Sequence, residues 1–274
     1  MWRPNASRPA PMRAGSMARC RVPRQGAGMA EVTGIAYVHH TYNEWWGCSA
    51  PAGAGCDHCF ATAMDRRTGG SHFGIGTRPR LTGEKNRNLP FRYNRLAQEA
   101  GERRRVLCGS MMDWCDLRAP EGARDALWQK IRETPWLDWL LLTKRGSLIE
   151  RFLPEDWGDG YLNVWLGVTV ENRKSGLRRM EQLRRIPAKL RFLSIEPLLE
   201  DLGEVDFTGF AWIIIGGESG QNPRRMDPAW AESLVSQAHA QGLAVFYKQN
   251  GGRGRDAGGC LLNGIEIKEL PLAA

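Results

Sequence analysis

From residue 106 onward the chain alternates short apolar runs with longer segments of helical spacing. The runs are RVLCGSM (105–111), WLLLTK (139–144), NVWLGVTVEN (163–172), LRFLSIEP (190–197), AWIIIGGESG (211–220) and LAVFYKQ (243–249). They are rich in aliphatic and β-branched residues with little polar alternation, the pattern of parallel strands covered on both faces. Between them the sequence predicts helices over 120–133, opened by Pro120, over 173–186 and over 227–241. The last has Asp227 as N-cap, Pro228 at its first position and Gly242 just past its end. A strand near 35–42 and helical pieces around 57–66 and 90–100 extend the series upstream. Such alternation means βα units. With about seven strands, and no Gly-x-Gly-x-x-Gly after the first, the expected class is α/β, a full or partial βα barrel rather than a doubly wound sheet. The barrel is expected over 31–252, followed by a C-terminal extension over 253–274.

In βα barrels the reacting groups sit on the loops after the carboxyl ends of the strands. Here those ends read Ser110 and Asp113; Thr143, Lys144 and Arg145; Thr169, Glu171 and Asn172; Ser194 and Glu196; Gly216, Gly217 and Glu218; then Lys248, Gln249 and Asn250. A helix cap explains any one of them, but the set is denser than capping requires, so a polar rim is expected. Lys144 and Glu196 are candidate acid–base partners at the barrel mouth, with a structural ion pair as the alternative, and Lys248 is a further catalytic candidate. Arg145, Arg224, Arg225 and Lys248 are candidates to hold one phosphate or acidic group, with Glu218 and Gln249 beside them in a substrate site.

Composition sets broad limits. The chain has 274 residues, 42% hydrophobic and 25% charged, enough for one sizeable core. No window approaches about 18 uncharged apolar residues, so no membrane span is expected, and no secretion signal is apparent, which reads as cytosolic. The formal charge of +8 points at first to nucleic acid. Residues 1–28, however, hold six arginines and no acid, and without them 32 basic residues face 30 acidic ones. The excess therefore belongs mostly to a disordered basic tail over 1–30, read either as a basic arm or as a misassigned start with the true one at Met29. A near-neutral body argues against a broad duplex-binding surface and for a nucleotide-sized or single flipped-base substrate. The eleven tryptophans are read as core packing rather than base stacking, and the arginines of RKSGLRRMEQLRR (173–185) as a solvated helix face.

The cysteines sharpen the picture. Seven is an odd number for a disulfide scaffold, and three fall in one glycine-rich loop after the first strand, WWGCSAPAGAGCDHCFA (45–61). Cys48, Cys56 and Cys59 are spaced Cys-x7-Cys-x2-Cys and lead into a helix, whose N-terminus favours thiolates. Beside three unlinked thiols, two metal readings stay open on spacing. One is an iron–sulfur cluster held by three thiolates, with one iron left for a substrate or cofactor. The other is a zinc site completed by His58, His72 or another cysteine. Cys108 and Cys115, on or just after a strand, read as buried apolar residues.

The ordered motifs TYNEWWGC, GCDHCFA, SMMDW, LLTKR, NVWLGVTVEN, RFLSIEPLL, WIIIGGESG, RRMDPAW and GLAVFYKQNGG, from about Thr41 to Gly252, resemble a bacteriophage and prophage three-cysteine-motif family of unknown function. That family in turn resembles radical S-adenosylmethionine (SAM) enzymes. The resemblance implies a [4Fe-4S] cluster on Cys48, Cys56 and Cys59, SAM on its open iron, an electron donor as partner and a 5′-deoxyadenosyl radical as the product of reduction. It further implies Ser110 and Asp113 near the SAM amino group and Thr169, Glu171 and Asn172 near its ribose. The radical SAM pattern is Cys-x3-Cys-x2-Cys with an aromatic before the last cysteine. Here the loop is longer and has His58 there, and Gly216-Gly217-Glu218 stands near the chain's end rather than after the second strand. The second reading, from another class, is a non-catalytic barrel whose zinc knuckle supports binding of nucleic acid or a partner protein.

Overall fold

The computed structural model describes residues 33–49, 53–253 and 258–272; the basic tail over 1–30 lies outside the described residues. Seven strands form one all-parallel sheet: β1 (His40–Tyr42), β2 (Arg104–Cys108), β3 (Leu137–Thr143), β4 (Val164–Thr169), β5 (Leu190–Ile195), β6 (Trp212–Gly216) and β7 (Ala244–Gln249). Their order in the sheet is their order in the chain. Each crossover thus moves one strand onward in the same sense, which curls the sheet into a half-barrel with helices on its outer face. A doubly wound sheet would need the order to reverse. The main helices are α1 (Phe60–Arg67), α2 (Leu89–Ala100), α3 (Ala123–Glu133), α4 (Arg178–Arg184) and α5 (Pro228–Ala240).

Strands β2 to β7 each have two buried faces. Val106, Trp139, Leu141, Leu166, Val168, Ile213, Ile215 and Val245 belong to an outer core shared with Leu127, Ile131, Met180, Leu183 and Leu234 of the helices. The alternate residues Leu107, Leu140, Trp165, Phe192, Trp212, Ile214 and Phe246 form a separate inner core. Period-two geometry makes this division, and it explains why the strand sequences show no polar face. At Gly167 a Cβ would lie 2.3 Å from the Phe192 ring, so the absent side chain on β4 is the space that Phe192 fills.

The tryptophans follow the packing reading: Trp45, Trp114, Trp139 and Trp212 are fully buried, as are Cys108 and Cys115. The capping signals at α5 hold as well, with Asp227 accepting from the Ala229 N–H at 3.0 Å. Other boundaries shift. The strand expected near 35–42 is only His40–Tyr42, because Ala36 and Tyr37 turn into the barrel. There the Tyr37 ring meets Trp212 and Phe246 edge-on at 5.7 and 5.6 Å. The helix expected from 173 begins as a π turn, Arg173–Leu177, before α4.

The sheet does not close. Residues 267–269 run antiparallel along the free edge of β7, with Tyr247 N–H on Ile267 O and Glu269 N–H on Val245 O, both at 2.9 Å. The Trp212 indole N–H reaches Glu269 O at 3.0 Å. With that edge occupied, β1 pairs only with β2, and the seam between β1 and β7 opens into a cavity of about 1750 Å³. Among the described residues no helix is long and apolar enough to cross a membrane.

Candidate functional site

The three-cysteine loop crosses the carboxyl-end rim of the half-barrel. After β1, Trp45–Trp46 pairs antiparallel with Arg80–Leu81, and Cys48 follows with both backbone groups pinned: its N–H to His72 O at 3.1 Å and its C=O to Gly74 N–H at 3.0 Å. Cys56 ends a 3-10 turn, Ala54–Cys56, and Cys59 is the residue before α1, its carbonyl accepting from Ala63 N–H at 3.1 Å. Residues 50–52 lie outside the described residues. All three thiols are free of disulfides, and Cys56 and Cys59 line the seam cavity.

Asp65 of α1 locks this loop. Its buried carboxylate accepts from the Trp46 indole N–H at 2.6 Å and the His72 backbone N–H at 2.8 Å, and contacts His72 Nδ1 at 3.0 Å. Burial pushes this carboxyl up, but the hydrogen bonds from His72 and Trp46 outweigh it and hold it below the usual carboxylate range. A lowered folded-state pKa means stability that is fully present above the unfolded value, about 3.9, and lost as pH falls through the folded value. Asp65→Ala leaves two buried donors unpaired and is expected to cost roughly 2–4 kcal/mol at neutral pH, with a gap from wild type that narrows in acid. Thermal melts of both proteins at pH 7 and pH 3 check this, and an unchanged gap counts against the lock.

The strand-end residues meet the loop from below. Inner-face positions run on to Thr169 and Lys248 at the strand ends and to Lys144, Glu171, Glu196 and Glu218 just past them, so period two that buries aromatics deeper in the barrel aims polar groups at its mouth. At Gly55 a Cβ would lie 2.9 Å from Glu171 Cδ and 3.0 Å from Lys144 Cε, which places the turn carrying Cys56 directly on those side chains. Lys144 Nζ donates to Thr169 Oγ1 at 3.3 Å. Glu171 is buried, paired with Arg179 and accepting from Ser175 Oγ at 3.3 Å. Asn172 caps the following π turn, taking the Ser175 and Gly176 N–H groups at 2.8 and 3.3 Å.

On the Cys48 side, Asp113 takes the Thr143 hydroxyl at 2.6 Å and pairs with Arg145 at 2.8 Å, while Arg145 also reaches Asp116 at 3.4 Å and the Cys48 sulfur at 3.5 and 3.6 Å. Burial and Asp113 push the Cys48 thiol up to about 12, with Arg145 partly offsetting them. Burial also raises Cys56, against the pull of Lys144. Ser110 lines the cavity and accepts from Asn43 Nδ2 at 3.0 Å. Across the mouth, Glu218 binds His58 at 2.9 Å and Arg224, and Arg224 donates to Ala54 O at 2.8 Å, tying the end of β6 to the cysteine loop. Burial raises the Glu218 carboxyl, but Arg224 and His58 bring it below the ordinary range. Gln249 Nε2 donates to Gly217 O at 3.1 Å. Arg225 is exposed to solvent.

Lys144 and Glu196 are not partners: Glu196 takes Lys248 at 2.5 Å, because those two side chains project from adjoining ends of β5 and β7 past the side-chain-free Gly216. The reading of 173–185 as a solvated face fails at Arg179, which turns back over the rim to Glu171. Asp65, Asp116, Asn43 and Ser175 were missed as well; each sits far in sequence from what it holds or looks like a routine cap. Among the described residues no three His, Cys, Asp or Glu side chains converge into a metal-binding group. Nor do His58 and His72 present both ring nitrogens: Nδ1 of each is held by a carboxylate, leaving Nε2.

Residues 32–271 match the model of a family described as DUF5131, protein of unknown function. The chain belongs to that DUF5131 family. No curated protein and no solved structure matches it. For this DUF5131 chain the site therefore rests on its own geometry, in which carboxylates already hold Arg145, Arg179, Arg224 and Lys248, while the Lys144 ammonium forms no ion pair with a carboxylate among the described residues.

Proposed function

We propose that this protein is a radical SAM-type iron–sulfur enzyme that modifies a nucleobase or nucleotide. The observation that carries the reading is the position of three unbridged thiols, on the loop after the first strand, over the carboxyl-end mouth of a parallel half-barrel with a side cavity. Three soft sulfur donors suit an iron–sulfur cluster, and a buried guanidinium donating to one of them is the kind of outer contact such clusters use. Cys48, Cys56 and Cys59 would hold it. Bound there, a cluster and SAM would together supply one-electron reductive cleavage of SAM.

The chain's own residues then have definite tasks. Lys144, whose ammonium pairs with no carboxylate among the described residues and which packs under the Cys56 turn, binds an acidic group close to the cysteines. Ser110, on the cavity wall, supplies a hydroxyl to an amino group. The Lys248–Glu196 pair lines the same cavity and can hold or move a proton between Nζ and Oε1. Tyr37 and Phe246 keep the cavity's inner wall apolar. Phe60, largely exposed beside Cys59, and Arg66 and Arg67 on α1 line the mouth and favour a substrate with a flat base and a phosphate.

Anaerobically reconstituted protein, reduced with dithionite, is expected to convert SAM to 5′-deoxyadenosine. One observation favours a second reading. His72, held through Nδ1 by Asp65, keeps Nε2 for a metal in the orientation that carboxylate–histidine zinc sites use. Stoichiometric zinc, no iron–sulfur absorption and no SAM cleavage would establish that reading and overturn the first.

A further inference from the structure

Arg145 is the most heavily committed cation on the rim. Its side chain is only 8% exposed. Nη1 donates to Asp113 Oδ2 at 2.8 Å; Nη2 donates to Ser49 Oγ at 3.1 Å and Asp116 Oδ2 at 3.4 Å. Both nitrogens also face Cys48 Sγ, at 3.5 and 3.6 Å. One carboxylate in fork geometry takes two of a guanidinium's five N–H donors and leaves the rest to other acceptors. Here two carboxylates from the loop after β2 grip it from one side, and the remaining side of the fork is turned on a sulfur. Among the described residues Cys48 is the one loop cysteine whose sulfur accepts from a side chain.

We propose that Arg145 is a positioning residue that aims two N–H groups at the Cys48 sulfur and sets the reduction potential of the cluster, with Asp113 and Asp116 fixing and moderating its charge. The inference rests on the cluster reading above. Its basis is electrostatic: reduction adds negative charge, so N–H donors and a cation beside a ligand sulfur stabilise the reduced form and raise the potential, while nearby carboxylates lower it. Burial keeps these charges poorly screened. Asp113 is thereby occupied with Arg145 and Thr143.

The test is a redox titration of reconstituted wild type, Arg145→Gln and Asp116→Asn, followed by visible absorption and electron paramagnetic resonance, with iron measured on the same samples. Arg145→Gln is expected to shift the midpoint to more negative potential and Asp116→Asn to more positive potential. A purely structural role would lower iron content and melting temperature in both variants without moving the potential in opposite directions. If Arg145→Gln fails to fold or load, Asp116→Asn decides: a positive shift supports the assignment, and an unmoved or negative midpoint overturns it. Wild type that binds iron fully while both variants keep its potential overturns this inference alone; wild type that binds no iron overturns the cluster reading and this inference with it.

Discussion

Alanine at Cys56 is expected to reduce iron in the reconstituted protein from about four atoms per chain to near zero and to abolish SAM cleavage. A cluster on three protein ligands has no spare thiolate to replace one that is lost. Cys56 sits in a 3-10 turn rather than in the packed core, and it lines the cavity, so the fold does not depend on it. The melting temperature of the metal-free variant should match that of metal-free wild type. Cys108→Ala is the control, since that thiol is fully buried in the outer core. It should lower stability and leave iron loading intact. Iron retained by Cys56→Ala at the wild-type level would remove the thiol from the ligand set.

Replacing Trp212 by alanine should have the largest effect on the fold. Its ring lies at the centre of the inner core, against Tyr37, Trp165, Phe192 and Phe246 at centroid distances of 5.7, 6.0, 5.9 and 6.4 Å. Its indole N–H also holds the carbonyl of Glu269, which fastens the segment covering the β7 edge. Truncating a buried tryptophan costs about 3–5 kcal/mol, a fall in Tm of roughly 6–20 °C for a chain of this size. The loss of the Glu269 contact adds a local signature: limited proteolysis should cut near the C-terminus sooner than in wild type. A variant that melts within a degree or two of wild type would show that the inner core does not hold the half-barrel together.

Much of the scaffold could be read from local pattern. The six apolar runs from 105 onward became strands, because a strand covered on both faces must be apolar throughout and that demand is visible residue by residue. The capping signals at Asp227 and Gly242 located α5 for the same reason, since a cap acts within its own turn. The strand ends were legible as a rim because period two and parallel direction together force those residues to one edge. Three cysteines in one glycine-rich loop likewise announced a site without tertiary information.

The partners on that rim were not legible. Lys248 rather than Lys144 holds Glu196 because β5 and β7 bring their ends together across β6, 52 residues apart in sequence. Arg179 looked like one more solvent arginine, and only the packing of α4 against β4 turns it onto Glu171. Arg145 looked free to take a phosphate until Asp113, Asp116 and Cys48 closed around it. The open seam was equally hidden, since it depends on residues 267–269 lying along the edge of β7 that β1 would need in order to close the barrel. Strands, caps and the direction of side chains follow from interactions within a few residues, so the sequence by itself determined the βα order, the apolar strands and the polar rim. Which charge meets which, and where the barrel stays open, depend on contacts between segments distant in sequence, whose distances and burial exist only once the chain has folded.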